Sequence, residues 1–558
     1  MIGQVLAAFV AIVVALAGKD IYHFIQGTLH PFFSPLRNVP GPPSDAIFMG
    51  SLRAIIAADP CELHVKWAKQ YGPVVKYKML LNRERLSIMD TRAVGHILAH
   101  PMDYEKPAPI RQALSTMLGN GLLSVEGETH KQQRRVMSPA FGLPQIRELT
   151  GIFLSKSIQL RDIWATKLQE KQLETNPDDS SSGKIEVLSW LNKMTLDVIG
   201  LAGFNHSFDA LSPNESHHEL NGAIRTLLKN SENPSTLDIL HILIPATRVV
   251  KSKRDVEITE ARAILDRVGK QFLAERKAAV LASGESKVQR KDVVGKDLLS
   301  LLVRDNMASD IPEDSRMTDE EVLAQVPTFL LAGHETTSTA VTWILYALSQ
   351  NAKAQDKLRE ELRACDGDEP SMETLNGLPY LDCVVRETMR LFSPVSNTLR
   401  VAMKDDVIPT EKEWVDNKGV RRTGVPVSKG DSIFLPFLAF SKSEEIWGAD
   451  ANEWKPERWA KGVPPAAASI PGIWGNTFSF SGGARACIGY RFSVIEMKAI
   501  IYTLIRAFKF SMSVAPSDIK FKSTAVTRPH LKDKVNDGPQ LPLWVSLVDS
   551  EAGYVHVA

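Results

Sequence analysis

Hydrophobic positions along this chain change pattern several times. Ile2 to Gly18 is apolar apart from Gln4, and Ile21 to Ile25 adds a second apolar patch. As helix the first run spans roughly 26 Å, slightly under the roughly 30 Å hydrocarbon core of a bilayer. Extension through Tyr22 and Phe24 completes the crossing, so residues 1–26 are expected to form a transmembrane anchor. Lys19 and Arg37 follow the segment and no Lys or Arg precedes it. That asymmetry predicts a cytosolic body. Ala15-Leu-Ala17 looks like a signal cleavage site, but the basic start that a cleaved signal needs is missing. The sequons Asn205-His-Ser207 and Asn214-Glu-Ser216 then face the cytosol and are expected to stay unmodified.

Residues 27–43 end in Pro40-Gly-Pro-Pro43, a stiff, extended connector. From 44 to about 100 short apolar runs alternate with turn signals, and Val74-Val-Lys-Tyr-Lys78 and Arg85-Leu-Ser-Ile-Met89 read as strands. From about 125 to 510 apolar residues recur at helical spacing. A polar loop at 175–183 and a charged stretch at 282–296, poor in hydrophobic residues, interrupt it. Short strands return at 395–440 and after 508. The pattern predicts a mainly α protein with small β-sheets, of the α+β kind.

The longest helix is expected to start at Thr318. In Thr318-Asp-Glu-Glu321 the hydroxyl accepts a backbone N–H and the glutamate reaches back, a capping box. Apolar periodicity then runs to Leu348, about 45 Å of helix, with Pro327 expected to bend or loosen a turn. Near its middle lies Ala332-Gly333-His334-Glu335-Thr336-Thr337. The small residues make room beside one face. An acid and two hydroxyls inside an apolar helix are costly unless hydrogen-bonded or useful. Threonine can bond back to a carbonyl one turn earlier and open the helix locally. His334-Glu335 is not a zinc-protease motif, because position 338 is serine.

A second helix starts at Pro379 and ends at Leu391-Phe-Ser-Pro394. Glu387 and Arg390 share one of its faces. Pro456-Glu-Arg458-Trp459 follows further on. The chain carries 66 Lys+Arg against 65 Asp+Glu, and a net charge of +1 argues against a nucleic-acid partner. Cys61, Cys365, Cys383 and Cys487 show no paired spacing, so neither a disulfide framework nor a zinc module is indicated. Cys487 stands apart, in Phe480-Ser-Gly-Gly-Ala-Arg485-Ala-Cys487-Ile-Gly489, before an expected helix over 488–508. Glycine lets backbone come close to a flat ligand, and a helix start lowers a thiol's pKa. One thiolate alone suits an axial bond to haem iron rather than zinc.

This last stretch resembles the haem-ligating loop of the cytochromes P450, with Phe480, Gly483, Arg485, Cys487 and Gly489 at every fixed position. Ala332 to Thr337 resembles that family's oxygen-activation motif. Glu387 with Arg390, and Arg458, resemble its Glu-x-x-Arg helix and Pro-Glu-Arg motif. The likeness covers about 38 to 545. It implies a cytochrome P450 fold behind an N-terminal transmembrane helix, with one catalytic domain over 44–548 and a tail at 549–558. Haem b would be bound through the Cys487 thiolate, beside Ala332 and Gly333. Thr336 would steady dioxygen and Glu335 relay protons. Arg485, Arg400 and Arg134 would hold the propionates. His130 takes a place where the family usually has Trp, and either bonds a propionate or fills space. Glu387, Arg390 and Arg458 would brace the cysteine loop.

The likeness also implies electrons from NADPH through NADPH–cytochrome P450 reductase, with cytochrome b5 as an optional second partner. Lys131, Arg135, Arg491 and Lys498 would form the docking face. The implied substrate is a hydrophobic small molecule, lined by 110–123, Phe329, Ala332, 395–398 and Ala525-Val526. The implied setting is the endoplasmic reticulum membrane, single-pass, in fungal secondary metabolism. Terpenoids come first, with fatty acids, sterols and aromatics open. A haem-thiolate isomerase, a peroxide-using enzyme or a haem sensor would not need Glu335-Thr336.

Overall fold

A computed structural model describes residues 18, 29–46, 48–174, 182–212, 219–230, 237, 241, 247, 250–282, 297–307 and 316–548. The expected anchor (Gly18 apart), the sequon at 214–216, most of the two interruptions and the tail at 549–558 lie outside the described residues. Among the described residues no helix is long and apolar enough to cross a membrane. The proline-rich segment lies against the body. Leu36 and Val39 are each 1% exposed, and Ser34 Oγ donates to Asp431 Oδ1 at 2.8 Å. Pro40 O accepts from Lys76 N at 2.8 Å. A Cβ on Gly41 would fall 1.7 Å from Lys76 O, so only glycine fits there.

In chain order the strands are β1 (Val74–Lys78), β2 (Glu84–Ile88), β3 (Tyr104–Glu105), β4 (Ser182–Glu186), β5 (Thr398–Ala402), β6 (Asp406–Val415), β7 (Arg421–Val427), β8 (Ser432–Leu435), β9 (Phe508–Met512), β10 (Ile519–Ser523), β11 (Thr527–Leu531) and β12 (Pro542–Leu547). Among the described residues they form four small sheets, ordered β1-β2-β8-β5-β3, β4-β12-β9, β6-β7 and β10-β11. β1 falls where the sequence placed it and β2 one residue earlier, with Val74 opposite Ile88.

The helices that build the site are α1 (Thr91–Ala99), α2 (Ala108–Leu118), α3 (Gly127–Met137), α4 (Leu143–Glu174), α5 (Val187–Phe204), α6 (Asp319–Ser349), α7 (Pro379–Leu391) and α8 (Tyr490–Ala507). The capping box forms at the start of α6: Glu321 N donates to Thr318 Oγ1 at 3.2 Å, and Thr318 N donates to Glu321 Oε2 at 2.9 Å. The helix continues through Pro327. It is not the longest, since α4 has 32 residues against its 31. The last turns of α4 carry strong helix formers (Lys167 to Glu174) but little apolar signal, which hides their length in sequence.

α6 packs against α5 and α8, and α8 against α4, around one large apolar cluster. An aromatic stack ties α6 to the β10–β11 hairpin. Trp343 lies flat on Phe521 at 4.7 Å and its Nε1 donates to Thr527 O at 3.0 Å. Thr527 N in turn donates to Pro394 O at 2.7 Å. The hairpin is thereby fixed beside α6, which sets the position of residue 528.

Candidate active site

The cysteine loop is shaped by backbone contacts. Gly483 has φ 64°, and a Cβ there would meet Leu98 O of α1 at 2.2 Å. A Cβ on Gly482 would meet Pro471 O at 2.2 Å. Both glycines thus serve the packing of the loop on protein, where sequence suggested room for a ligand. Cys487 N donates to Phe480 O at 3.0 Å, closing the turn. Phe480 is buried between Trp474 (5.4 Å, edge-on) and Tyr490 (6.1 Å). α8 starts at Tyr490 with Gly489 as its cap, so Cys487 lies before the helix.

The Cys487 side chain opens onto solvent although protein surrounds it closely. Burial pushes its thiol above the ordinary value, and the Gly489 N–H and the Arg134 guanidinium pull it back less. The Gly489 N–H at the helix start and Arg134 both act in the expected direction, against desolvation. Desolvation of the anion outweighs two favourable contacts.

Facing residues come from the middle of α6. Ala332 is exposed and Thr336 half-buried, in a helix whose other central residues are largely buried. Thr336 Oγ1 donates to Ala332 O at 2.7 Å, the back-bond expected of this residue. Thr337 Oγ1 lies 3.1 Å from Ser493 Oγ of α8, which brings this motif alongside the cysteine helix. Gly333 does not share the open face. Its Cβ would come within 2.8 Å of Ile199, so the missing side chain lets α5 approach. His334 is buried, with Nδ1 2.6 Å from Leu330 O, and burial pushes it down to about 4. Glu335 is 6% exposed and ion-paired with Arg528 of β11. Sequence reading passed over Arg528, which carries no local signal.

A cluster of cations lies beside the loop. Arg485 pairs with Glu126 and donates to Val125 O at 2.9 Å. Lys106 Nζ is 3.2 Å from Glu126 Oε1. Arg134 Nη1 donates to Ala486 O at 2.6 Å. Arg400 Nη1 donates to Thr398 Oγ1 and Leu399 O, each at 2.7 Å. Burial pulls Lys106 down to about 8 and Arg400 to about 10. His130 is pushed down to about 3, by burial first and then by Arg485, Lys106 and Arg134, so it is neutral near pH 7. Lys106, Arg400 and Arg485 thus gather around Glu126, with Glu105 also acting on Arg485, while Arg134 lies beside Cys487. Glu126 and Lys106 were not visible as site residues in sequence. A surplus of partly desolvated cations beside one thiol fits a ligand that bears a metal and two carboxylates. Haem with its propionates has that chemistry. A cleft of about 370 Å³ lined by His130, Arg134, Ala484 and Arg485 opens at this point.

The Glu-x-x-Arg pair forms a closed network. Glu387 and Arg390 are 0% exposed, joined by Nε–Oε2 and Nη2–Oε1 bonds of 2.9 and 2.8 Å. Glu387 also accepts from Trp459 Nε1 at 3.0 Å and Lys455 N at 2.9 Å, and Arg458 Nε lies 3.5 Å away. Ser479 Oγ donates to Met389 O at 2.8 Å, and Arg386 covers the Trp474 ring at 5.2 Å. These contacts carry the network to the segment that enters the cysteine loop.

Two expectations need correction. Lys131, Arg135 and Arg491 are exposed, but Lys498 is 2% exposed and paired with Asp382 at 2.9 Å. It belongs to the interior between α8 and α7, because α8 is apolar on nearly every side. Phe329 packs edge-on against Phe141 at 5.7 Å and lies 6.5 Å from Phe204, in the core and not along an open pocket.

Comparison with known proteins agrees with this geometry. The family model for cytochrome P450 matches residues 40–536. The chain is 48% identical over 513 residues to cytochrome P450 monooxygenase 205 of Postia placenta, covering 92% of this chain and 93% of that protein. It is 46% identical over 521 residues to monooxygenase 128 of the same fungus, covering 93% and 94%. It is 31% identical over 562 residues to a ganoderic acid synthetase of Ganoderma lucidum, covering 96% and 98%. A lone cysteine on a glycine-bent loop, a neighbouring acid–threonine helix and a family match over most of the chain lead to one conclusion: the chain belongs to the cytochrome P450 family and is an oxidoreductase of the monooxygenase class.

Proposed function

We propose that the chain inserts one oxygen atom from dioxygen into a hydrophobic small molecule of fungal secondary metabolism, terpenoids first among the substrate classes. The juxtaposition of the open Cys487 thiol, the α6 residues Ala332 and Thr336, and the cation cluster carries this reading. Haem b, held by Cys487 and with its propionates among Arg134, Arg400, Arg485 and Lys106, supplies dioxygen activation when bound. The Gly489 N–H and Arg134 favour the thiolate that ligation requires. Thr336 can release its Ala332 carbonyl bond and turn its hydroxyl toward dioxygen. Glu335, held by Arg528, keeps a carboxylate one residue away that can carry a proton to that hydroxyl. Ganoderic acid synthesis, in the name of one relative, supports a role in secondary metabolism.

Residues 44–548 form the catalytic unit in this reading, and residues 1–26 anchor it in the endoplasmic reticulum membrane. Co-expression with a reductase in yeast microsomes tests it. A product one oxygen heavier should require NADPH and vanish in Thr336→Ala and Cys487→Ala. The Cys487→Ala protein should also lose the strongly red-shifted Soret band of the reduced carbon-monoxide complex. An unchanged band refutes thiolate ligation.

Electrons reach this unit from NADPH through the reductase, docked at Lys131, Arg135 and Arg491, with cytochrome b5 as an optional second partner. Charge reversal at Lys131 and Arg135 is expected to slow reductase-driven turnover roughly tenfold and to spare peroxide-driven turnover. Assay of both activities in the same preparation checks this, and equal loss in both removes the docking role.

A further inference from the structure

α8 carries a buried acid that the reaction above does not use. Glu496 is 0% exposed, and neither carboxyl oxygen has a hydrogen-bond partner among the described residues. Thr337 approaches it from α6 without closing a bond, its hydroxyl being 3.1 Å from Ser493 Oγ. Thr337 follows Thr336, and Ser493 lies between Cys487 and Glu496 on the chain. The three side chains therefore join the two segments that carry the candidate chemistry.

Charged groups around α8 are engaged elsewhere. Lys498 pairs with Asp382 at 2.9 Å, and Arg359 Nε donates to Ile505 O at 3.0 Å. Lys156 of α4 lies 3.9 Å from Asp197, and Arg506 Nη2 is 3.9 Å from Asp368. None of these offsets the burial of Glu496. Burial raises its pKa well above the ordinary carboxyl value, opposed only by Thr337.

We propose that Glu496 is a positioning residue, held as a neutral carboxylic acid whose O–H donates to Thr337 Oγ1 while Thr337 donates to Ser493 Oγ, locking the Glu335–Thr337 turn to the helix after Cys487. Ionised, Glu496 would accept from Thr337 and reverse that direction. The functional part rests on Thr336 acting in oxygen activation. The structural part does not.

The test compares the haem-loaded full chain with Glu496→Gln, Glu496→Leu and Thr337→Val by urea unfolding from about pH 5 to pH 8. The sign follows from linkage. A carboxyl with a raised folded pKa lends its full stability below the ordinary value near 4.3 and loses it as pH rises toward the folded value. The folding constant of the parent relative to Glu496→Gln should fall about tenfold per pH unit across that window. A flat ratio overturns the neutral acid. The second readout is product formed per NADPH. Glu496→Gln, whose amide N–H can donate in the same direction, should keep it within about twofold. Glu496→Leu and Thr337→Val should lower it about tenfold without moving the carbon-monoxide band, the size of a lost positioned hydrogen bond. Unchanged coupling in folded Glu496→Leu overturns the positioning role. Should Thr336→Ala itself leave coupling intact, the oxygen-activation reading fails, while the pH slope still decides the state of Glu496.

Discussion

Arg390→Ala is expected to abolish recovery of haem-loaded protein. Arg390 is 0% exposed and satisfies five acceptors at once: both Glu387 oxygens and the carbonyls of Ser441, Ala451 and Glu453, the last two at 2.6 and 3.2 Å. Its guanidinium also covers Trp447 at 5.0 Å from the ring centroid. Truncation leaves the Glu387 carboxylate buried with only Arg458 as a cation, at 3.5 Å. Breaking a buried pair in this way costs about 3–5 kcal/mol, against a typical total of about 5–15 kcal/mol. Arg390→Lys is expected to fail as well, because an ammonium cannot bridge two carboxylate oxygens and three carbonyls in one plane. Glu387→Gln with Arg390→Met should recover part of the loss, since it removes both charges. The measurement is the yield of folded protein with a red-shifted carbon-monoxide band. Full yield from Arg390→Ala would show that the network is dispensable for the cysteine loop.

Features written in consecutive residues were legible before the fold was known. The capping box at Thr318 and Glu321 formed as expected, as did the proline start of α7 and the two strands β1 and β2, the second one residue earlier than read. Each is fixed by local geometry, within a turn of helix or one pair of strands. What escaped notice depends on chain crossings. Glu126 meets Arg485 across three hundred and more positions, and Glu335 meets Arg528 from the β10–β11 hairpin, which Trp343 ties to α6. Glycines show only part of their reason in sequence. Gly333 and Gly483 were read as space for a ligand, and their close neighbours include Ile199 and Leu98. A missing side chain signals close approach without saying of what. Lys498 misled. Its charge suggested surface, whereas the apolar run around it in α8 places it inside, with Asp382 as its partner.

Arg528→Ala is expected to uncouple the enzyme more than it destabilises it. Arg528 is 7% exposed and meets Glu335, also nearly buried, at the candidate proton-delivering turn of α6. Without the guanidinium the carboxylate stands in a desolvated place with no cation, and such a group either takes up a proton or turns away to water. Both outcomes remove it from the geometry needed to pass a proton to Thr336. General acid–base groups contribute about 10²–10⁴-fold to a rate, so product formation should fall by about a hundredfold or more. NADPH consumption should continue, with hydrogen peroxide replacing product. Arg528→Lys restores a cation but not a planar fork, and should recover part of the coupling. Glu335→Gln should match Arg528→Ala, and the double variant should be little worse than either single one, because the two residues act as a unit. Additive losses in that cycle would mean that Arg528 serves the β10–β11 hairpin alone. In that case the acid on α6 is positioned by its own helix, and the hairpin contributes only packing through Trp343.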